Sequence, residues 1–206
     1  MNKFVIAGAG GFGREVYSYI LNAFASDAVR GFLDDNPDAL CEYGFKHKII
    51  SDFAGYKPLE SDIVVFAVAN PKIKKSIAEI LKSRGAKFGS FIHPSAVLGL
   101  NVKISEGAVV APFCVIGSNA EIGSFASINT SVNISSGAKI GAYSTVSSQC
   151  SVGENAILEE GAFMASSSIL ESGLNMFENS TLGINSYADK DVEKSRCAFG
   201  TPAEYL

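Results

Sequence analysis

An aliphatic residue recurs at every sixth position through the second half of the chain. The series has fifteen members without a gap, namely Leu98, Ile104, Val110, Ile116, Ile122, Ile128, Ile134, Ile140, Val146, Val152, Leu158, Met164, Leu170, Met176 and Leu182. A unit of six residues cannot enclose a core alone, so neighbouring units must stack into a solenoid. The absence of hairpin signals argues against an antiparallel sandwich. The sequence therefore predicts a left-handed parallel β-helix over residues 93–206.

Residues 1–92 instead alternate between strand and helix patterns. Three short apolar runs are typical of buried parallel strands, namely Lys3–Ala7, Val29–Leu33 and Ile63–Val68. Arg14–Phe24 and Ile73–Leu81 carry apolar residues at helical spacing. Strands that alternate with helices in this order predict right-handed crossovers and a small Rossmann-like α/β domain.

The segment Gly8–Gly13 (GAGGFG, the glycine loop) follows the first strand and opens the first helix. This context suits a phosphate-binding turn, because backbone N–H groups and the helix N-terminus can meet an anion there. Asp34 lies 21 residues past Gly13, where a carboxylate can accept hydrogen bonds from a ribose or a base edge. The alternatives are an NAD site and a glycine turn used only for close packing. Because residues 1–92 supply half of a doubly wound fold, a mononucleotide ligand such as a nucleotide sugar is favoured.

The overall composition disfavours several classes of protein. A net charge of −4 argues against nucleic-acid binding, which normally needs a basic face. The four cysteines form no CxxC pair, so we expect neither a metal site nor a redox motif. No apolar run approaches the roughly 20 residues of a membrane span, and no signal-peptide pattern is evident. We therefore expect a cytoplasmic protein.

Four motifs in order resemble the bacterial sugar O-acyltransferase family, which is typified by sialic acid O-acetyltransferases and nucleotide-amino-sugar N-acetyltransferases. They are IAGAGGFGREV, GFLDDN, FIHPSAVLG and FGTPAEYL, and they span the whole chain. The resemblance implies acetyl-CoA as the acyl donor and a UDP-, dTDP- or GDP-linked amino sugar as the acceptor. It also implies a role in surface glycan biosynthesis and a homotrimer with CoA in a cleft between neighbouring β-helices.

The same resemblance implies roles for individual residues. Those implied to bind the sugar nucleotide are Gly10, Gly11, Phe12, Asp34, Asp35, Asn70 and Asn129. Gly200, Pro202 and Ala203 are implied to lie near CoA, and Thr145 stands where the family has a second histidine close to CoA.

The chain departs from the family at the general base. The family's histidine and its acidic partner correspond here to Ser136 and Gly137, and the chain's two histidines are His47 and His93. We interpret His93, in the HPSA motif, as structural and His47 as an exposed loop residue. A missing base should slow acyl transfer to a hydroxyl by about 10²–10⁴-fold. An amine can attack in its neutral form and lose its proton afterwards, so positioning alone supplies much of the rate.

Three functions remain open on the sequence. The leading hypothesis is an acyl-CoA-dependent N-acyltransferase that acts on a nucleotide-linked amino sugar without the usual histidine. The second is a catalytically lapsed relative that binds a sugar nucleotide without acyl transfer. The third is an oxidoreductase-like protein that binds NAD.

Overall fold

The computed structural model describes residues 2–205, so Met1 and Leu206 lie outside it. The chain forms two compact units, of which the first ends at Ser90 and the second begins at Phe91. The first unit contains four parallel strands: β1 Lys3–Ala7, β2 Val29–Leu33, β3 Ile49–Ser51 and β4 Asp62–Phe66. Helix α1 (Gly11–Ala23) follows β1, a 3-10 helix (Ser26–Ala28) precedes β2, and helix α2 (Pro71–Ser83) follows β4.

The strand order in this sheet is β3-β2-β1-β4. Strand β1 is central, and its apolar residues Val5, Ile6 and Ala7 are fully buried. Helix α1 buries Gly13, Val16, Tyr17 and Ile20, which recur at the spacing of one helix face. The chain continues from β1 to β2 on one side and later reaches β4 on the other. The carboxyl ends of β1 and β4 therefore form a topological switch point, where α/β proteins open a crevice for ligands.

The second unit is a solenoid of very short strands in three sheets of five, six and eight strands. In chain order they are β5 Phe91–Ile92, β6 Val97–Leu98, β7 Lys103–Ile104, β8 Val109–Val110, β9 Val115–Ile116, β10 Glu121–Ile122, β11 Ser127–Ile128, β12 Asn133–Ile134, β13 Lys139–Ile140, β14 Thr145–Val146, β15 Ser151–Val152, β16 Ile157–Leu158, β17 Phe163–Met164, β18 Ile169–Leu170, β19 Asn175–Met176, β20 Thr181–Leu182, β21 Tyr187–Ala188, β22 Cys197–Phe199 and β23 Glu204–Tyr205. From β6 to β20, each strand ends on a member of the six-residue series.

From β5 to β18, each strand pairs in parallel with the strand one coil later. Glu121 pairs with Lys139 and Ile122 with Ile140, a shift of 18 residues, so three hexapeptides make one coil. Thirteen of the fifteen aliphatic residues are buried, whereas Leu98 is 40% exposed and Ile104 is partly exposed. Both exceptions lie on strands β6 and β7, which end their sheets and have a partner strand on one side only.

Each turn of the solenoid contains a residue with a left-handed backbone. The residue three positions after every member of the series has φ between 53° and 75°, from Asn101 to Asn185. Three of these residues are aromatic, namely Phe113, Phe125 and Tyr143, and the rings of Phe125 and Tyr143 stack with centroids 5.3 Å apart. Both parts of the predicted fold class, a Rossmann-like α/β domain and a parallel β-helix of hexapeptide repeats, are confirmed.

Candidate functional site

A cavity of about 430 Å³ lies at the switch point of the first unit. Its lining residues come from the glycine loop, the end of β2, the segment after β3, the segment after β4 and the first half of α2: Gly8, Gly10, Gly11, Phe12, Asp34, Asp35, Phe53, Ala67, Val68, Ala69, Asn70, Ile73 and Ile77. Six of the seven residues implied to bind substrate therefore share one cavity. The cavity has three further apolar lining residues that the sequence did not indicate, namely Phe53, Ile73 and Ile77. Phe53 was missed because it follows a strand that the sequence did not predict.

The glycines of the loop serve two different purposes. A Cβ added to Gly13 would lie 2.0 Å from the Gly8 carbonyl oxygen, so this glycine lets α1 pack directly on the end of β1. Gly8 has a φ of +109°, and its added Cβ would lie 2.7 Å from the Ala67 carbonyl oxygen. A Cβ added to Gly10 or Gly11 would instead meet no described atom within 4 Å apart from its chain neighbours and the backbone of α1 itself. Close packing therefore explains Gly8 and Gly13, whereas Gly10 and Gly11 border open space in the cavity.

The N-termini of the two helices differ in their hydrogen bonding. In α2, Asn70 Oδ1 accepts hydrogen bonds from the backbone N–H groups of Lys72 and Ile73, at 3.1 and 3.2 Å. In α1, among the described residues, no side chain caps the N-terminus and no acidic residue lies in the first turn. The first N–H groups of α1 therefore remain available to an anion. Asn70 retains its Nδ2 amide as a donor to a ligand, because its oxygen is engaged by the helix.

The two aspartates of the cavity have different environments. Asp34 Oδ2 accepts a hydrogen bond from the Ala9 N–H at 2.7 Å, and Oδ1 accepts one from the Asn36 N–H at 2.9 Å. Asp35 is exposed, and its Oδ1 accepts a longer bond from the Phe53 N–H at 3.3 Å. Asp34 thus holds the glycine loop to the end of β2, whereas Asp35 presents its carboxylate to the cavity.

Arg14 places a positive charge beside the glycine loop. Its Nη1 donates to the Ala9 carbonyl oxygen at 3.3 Å, and its guanidinium lies 4.0 Å from the centroid of the Tyr43 ring. None of the described lining residues of the cavity is Lys or Arg. An anionic ligand would therefore be held mainly by backbone N–H groups and the N-terminus of α1.

His47 is not a free loop residue, contrary to the expectation from the sequence. Its Nδ1 lies 2.9 Å from the Tyr17 hydroxyl oxygen, and its ring packs edge-on against the Tyr17 ring. Partial burial, followed by the nearby charges of Lys46 and Lys3, lowers the pKa of His47. At neutral pH it is a neutral hydrogen-bonding partner of the core residue Tyr17.

In the second unit, two of the implied residues are neighbours. The Asn129 N–H donates to the Val146 carbonyl oxygen at 2.9 Å, which places Asn129 beside β14 and the fully buried Thr145. The Asn129 Oδ1 atom is buried and accepts no hydrogen bond from the described residues. An unsatisfied buried amide oxygen costs about 1–3 kcal/mol. Asn129 therefore carries an acceptor that a bound ligand can satisfy.

Ser136 lies at a different corner of the solenoid. It is exposed in the turn between β12 and β13, whereas Asn129 lies in the turn between β11 and β12. The neighbouring Gly137 has a φ of +70°, and an added Cβ would approach Asn155 Oδ1 to 2.2 Å. The chain therefore has no room for an acidic partner at residue 137 without a shift of Asn155.

The residues implied to lie near CoA are held in a hydrogen-bonded turn after β22. The Tyr187 N–H donates to the Gly200 carbonyl oxygen at 3.0 Å, and the Ala203 N–H donates to the Tyr187 carbonyl oxygen at 2.8 Å. Pro202 follows a cis peptide bond. Strands β17 and β20 separate this turn from Thr145 on β14, a distance of about 14 Å along the sheet. The structure therefore does not gather these four residues into one pocket.

Residues 2–205 contain no group of three or more His, Cys, Asp or Glu side chains arranged to hold a metal ion. None of their helices has the length and apolar character needed to cross a membrane. Cys114 and Cys150 are buried in the solenoid, where burial raises the pKa of both thiols.

Comparisons with known proteins cover both units. Residues 3–81 match the family model of the PglD N-terminal domain. A GDP-perosamine N-acetyltransferase of Escherichia coli O157:H7 is 30% identical over 120 residues, which are 56% of this chain and 54% of that protein. The chain thus matches about half the length of this curated relative.

Two solved structures are similar over essentially their whole length. The acetyltransferase domain of PglB from Neisseria gonorrhoeae FA1090 is 22% identical with a TM-score of 0.74, and all of both chains is covered. PerB from Caulobacter crescentus, solved with CoA and GDP-perosamine, is 22% identical with a TM-score of 0.72, covering 100% of this chain and 98% of that one. Residues 3–81 therefore resemble the PglD N-terminal domain, and the whole chain has the fold of these two acetyltransferase structures.

Proposed function

We propose that this protein transfers an acetyl group from acetyl-CoA to the amine of a nucleotide-linked amino sugar, in the cytoplasm and in surface glycan biosynthesis. The observation that carries the proposal is the switch-point cavity, where Gly10 and Gly11 border open space at the uncapped N-terminus of α1. A diphosphate fits such a site because backbone N–H groups can approach it closely. The curated relative is a GDP-perosamine N-acetyltransferase, which makes a GDP-linked sugar the first ligand to test.

The acyl donor would bind along the second unit. Asn129 offers a buried acceptor beside β14, and the turn Gly200–Ala203 follows β22, which lies three strands along the same sheet. This strip of about 14 Å suits an extended donor such as acetyl-CoA. The PglB acetyltransferase domain of similar fold has been solved with acetyl coenzyme A, which supports the same class of donor here.

The proposed chemistry needs no histidine. The neutral amine of the sugar attacks the thioester carbonyl carbon, the tetrahedral adduct loses the ammonium proton, and the C–S bond breaks to give an amide and the CoA thiol. Ser136 stands at the family's base position and is exposed, so water can reach this position and accept the proton. The protein's contribution is then to hold amine and thioester together, which can supply much of the rate enhancement.

We further propose a homotrimer that is built on the six-stranded sheet. The first residue of each strand in this sheet faces outward, and we call these six residues the apolar face: Val97, Val115, Asn133, Ser151, Ile169 and Tyr187. None of them is charged, and Val97, Val115 and Ile169 are 61%, 48% and 43% exposed. The five-stranded sheet instead presents Lys103, Glu121 and Lys139. Uncharged apolar surface of this kind marks interfaces between proteins.

A multimer would also resolve the separation of Asn129 and Ser136. The two residues lie at different corners of one solenoid. A corner from each of two copies would bring them to one cleft, as the family resemblance implies.

The replacement of the family's histidine by Ser136 favours a second candidate function. A chain that binds sugar nucleotide in its first unit but lacks a base can act as a binding protein without acyl transfer. The two candidates share the nucleotide site and differ only in turnover.

The test combines binding with turnover. Thermal shifts with GDP-, UDP- and dTDP-linked amino sugars, acetyl-CoA and NAD identify the ligands, since a ligand that binds only the folded state raises the melting temperature. Release of CoA thiol is then followed with each sugar that binds. We expect turnover with an amino sugar and none with its hydroxyl analogue. If the wild type binds the sugar nucleotide without turnover, and turnover appears only in Ser136→His, the protein is the binding protein. If NAD is the only ligand that stabilises the protein, both candidate functions are rejected.

A further inference from the structure

The two aspartates of the cavity can be assigned separate tasks. In dinucleotide-binding proteins the acidic residue about 20 positions after the glycines contacts the ribose, and that spacing selects Asp34. In this structure both carboxylate oxygens of Asp34 already accept backbone hydrogen bonds, from Ala9 at 2.7 Å and from Asn36 at 2.9 Å. The spacing rule therefore selects a carboxylate that already binds backbone N–H groups through both of its oxygens.

The bond to Ala9 matters for the geometry of the loop. Ala9 lies between Gly8, whose N–H donates to the Leu33 carbonyl oxygen at 2.9 Å, and Gly10, which borders the cavity. The bond from Ala9 to Asp34 thus extends the attachment of the loop to β2 by one residue. We expect this bond to restrain the backbone just before Gly11 and Phe12, at the N-terminus of α1.

Asp35 has the opposite character. It lines the cavity, is exposed, and uses only Oδ1, in a bond of 3.3 Å to the Phe53 N–H. Its Oδ2 accepts no hydrogen bond from the residues that the structure describes. A carboxylate oxygen left open at the end of β2 is placed to accept from a hydroxyl of a nucleoside.

We propose that Asp35 accepts the hydrogen bond of the ribose hydroxyls of a nucleoside diphosphate, and that Asp34 is a positioning residue that sets the glycine loop for the diphosphate. This inference rests on the proposed function, because it assumes that a nucleoside diphosphate binds in the cavity.

The test measures the affinity of each variant for three probes by calorimetry. The probes are whichever of GDP and UDP binds better, its 2′,3′-dideoxy form, and inorganic pyrophosphate. The variants are the matched pair Asp34→Ala and Asp35→Ala, with Asp34→Asn as the conservative change. Circular dichroism verifies that each variant is folded.

In the wild type, loss of the ribose hydroxyls should weaken binding by about 10-fold or more, as expected for a hydrogen bond to a charged group. In Asp35→Ala this dependence on the hydroxyls should vanish while the affinity for pyrophosphate is unchanged. In Asp34→Ala all three probes should weaken by the same factor, so that the hydroxyl dependence persists. Asp34→Asn keeps one acceptor and should lose less affinity than Asp34→Ala.

Two results would overturn the assignment while leaving the nucleotide site intact. One is loss of the hydroxyl dependence in Asp34→Ala with its retention in Asp35→Ala, and the other is its retention in both variants. If the folded wild type binds no nucleoside diphosphate at all, the proposed function fails and this inference fails with it. If Asp34→Ala does not fold, the Asp35→Ala measurements alone still decide whether Asp35 contacts the hydroxyls.

Discussion

Replacing Gly11 by alanine tests whether this glycine serves close packing or the approach of a ligand to the backbone. Gly11 is the first residue of α1, and a Cβ added there meets no described atom within 4 Å apart from its chain neighbours and the backbone of α1 itself. Because alanine restricts the unfolded chain and favours the helix, the substitution should stabilise the protein by about 0.4–1 kcal/mol. The new methyl group would stand in the cavity, between the backbone and an approaching phosphate. Loss of one hydrogen bond to a charged group costs about 1.5–3 kcal/mol, so the affinity for the nucleotide sugar should fall by about 10- to 150-fold.

Gly13→Ala is the matched control, because its Cβ would lie 2.0 Å from the Gly8 carbonyl oxygen. Overpacking of this kind costs about 1–3 kcal/mol or more, so this variant should be destabilised. Thermal unfolding followed by circular dichroism suits a chain without Trp, and calorimetry gives the affinities. Unchanged nucleotide affinity in a stable Gly11→Ala protein would refute the idea that a ligand approaches the backbone at this point.

Three further predictions concern assembly, stability and catalysis. Val115→Lys should convert the trimer to monomers, because a lysine charge in an apolar interface is desolvated without a partner. Ile157→Lys, on the five-stranded sheet, should leave the molecular mass unchanged. Light scattering after size-exclusion chromatography measures the mass of both variants, and an equal response would reject the apolar face as the interface. Burial lowers the pKa of Lys74 from 10.5 to about 7, so the unfolded state binds more protons between these values. The loss of stability caused by burying the charged lysine is complete below pH 7 and fades as the pH rises toward 10.5. Lys74→Met should therefore raise the melting temperature at pH 7, and its melting temperature should rise less steeply with pH than that of the wild type. Parallel curves of melting temperature against pH for the two proteins would contradict this account. The pH profile of wild-type turnover should follow the ionisation of the sugar amine, with no inflection at about 6.5, the usual pKa of histidine. Ser136→His should add such an inflection, and its presence in the wild type would show that a histidine takes part.

The solenoid was predictable in detail because its core has a sequence period. Every sixth residue must be aliphatic because it faces the interior of the coil, and each of the fifteen residues in the series ends a strand. The turn conformation was not predictable in the same way. Phe113, Phe125 and Tyr143 have φ values of 61°, 59° and 60°, in the left-handed region where aromatic residues are disfavoured. The rings of Phe125 and Tyr143 also stack on each other between coils.

In the first unit the sequence predicts the position of the cavity but not the task of each side chain. The family resemblance implies that Asn70 and Asp34 both contact the ligand. The structure shows that the Asn70 oxygen caps α2 and that Asp34 binds the Ala9 N–H, 25 residues earlier in the chain. Such pairings depend on how strands and loops meet in space, which no local pattern records. Strand β3 was missed for a related reason, since only three residues pair with β2 after a long irregular segment.

The shift of 18 residues between paired strands has a consequence for changes in chain length. An insertion of one hexapeptide keeps the aliphatic residues inside, but it rotates everything that follows by one third of a coil. Residues downstream would then move from the apolar face to a neighbouring sheet, and the turns would exchange corners. An insertion of 18 residues restores every side chain to its own face and only lengthens the prism. The solenoid can therefore grow or shrink in whole coils while its surfaces stay in register, whereas smaller steps would divide the apolar face into two halves that point in different directions.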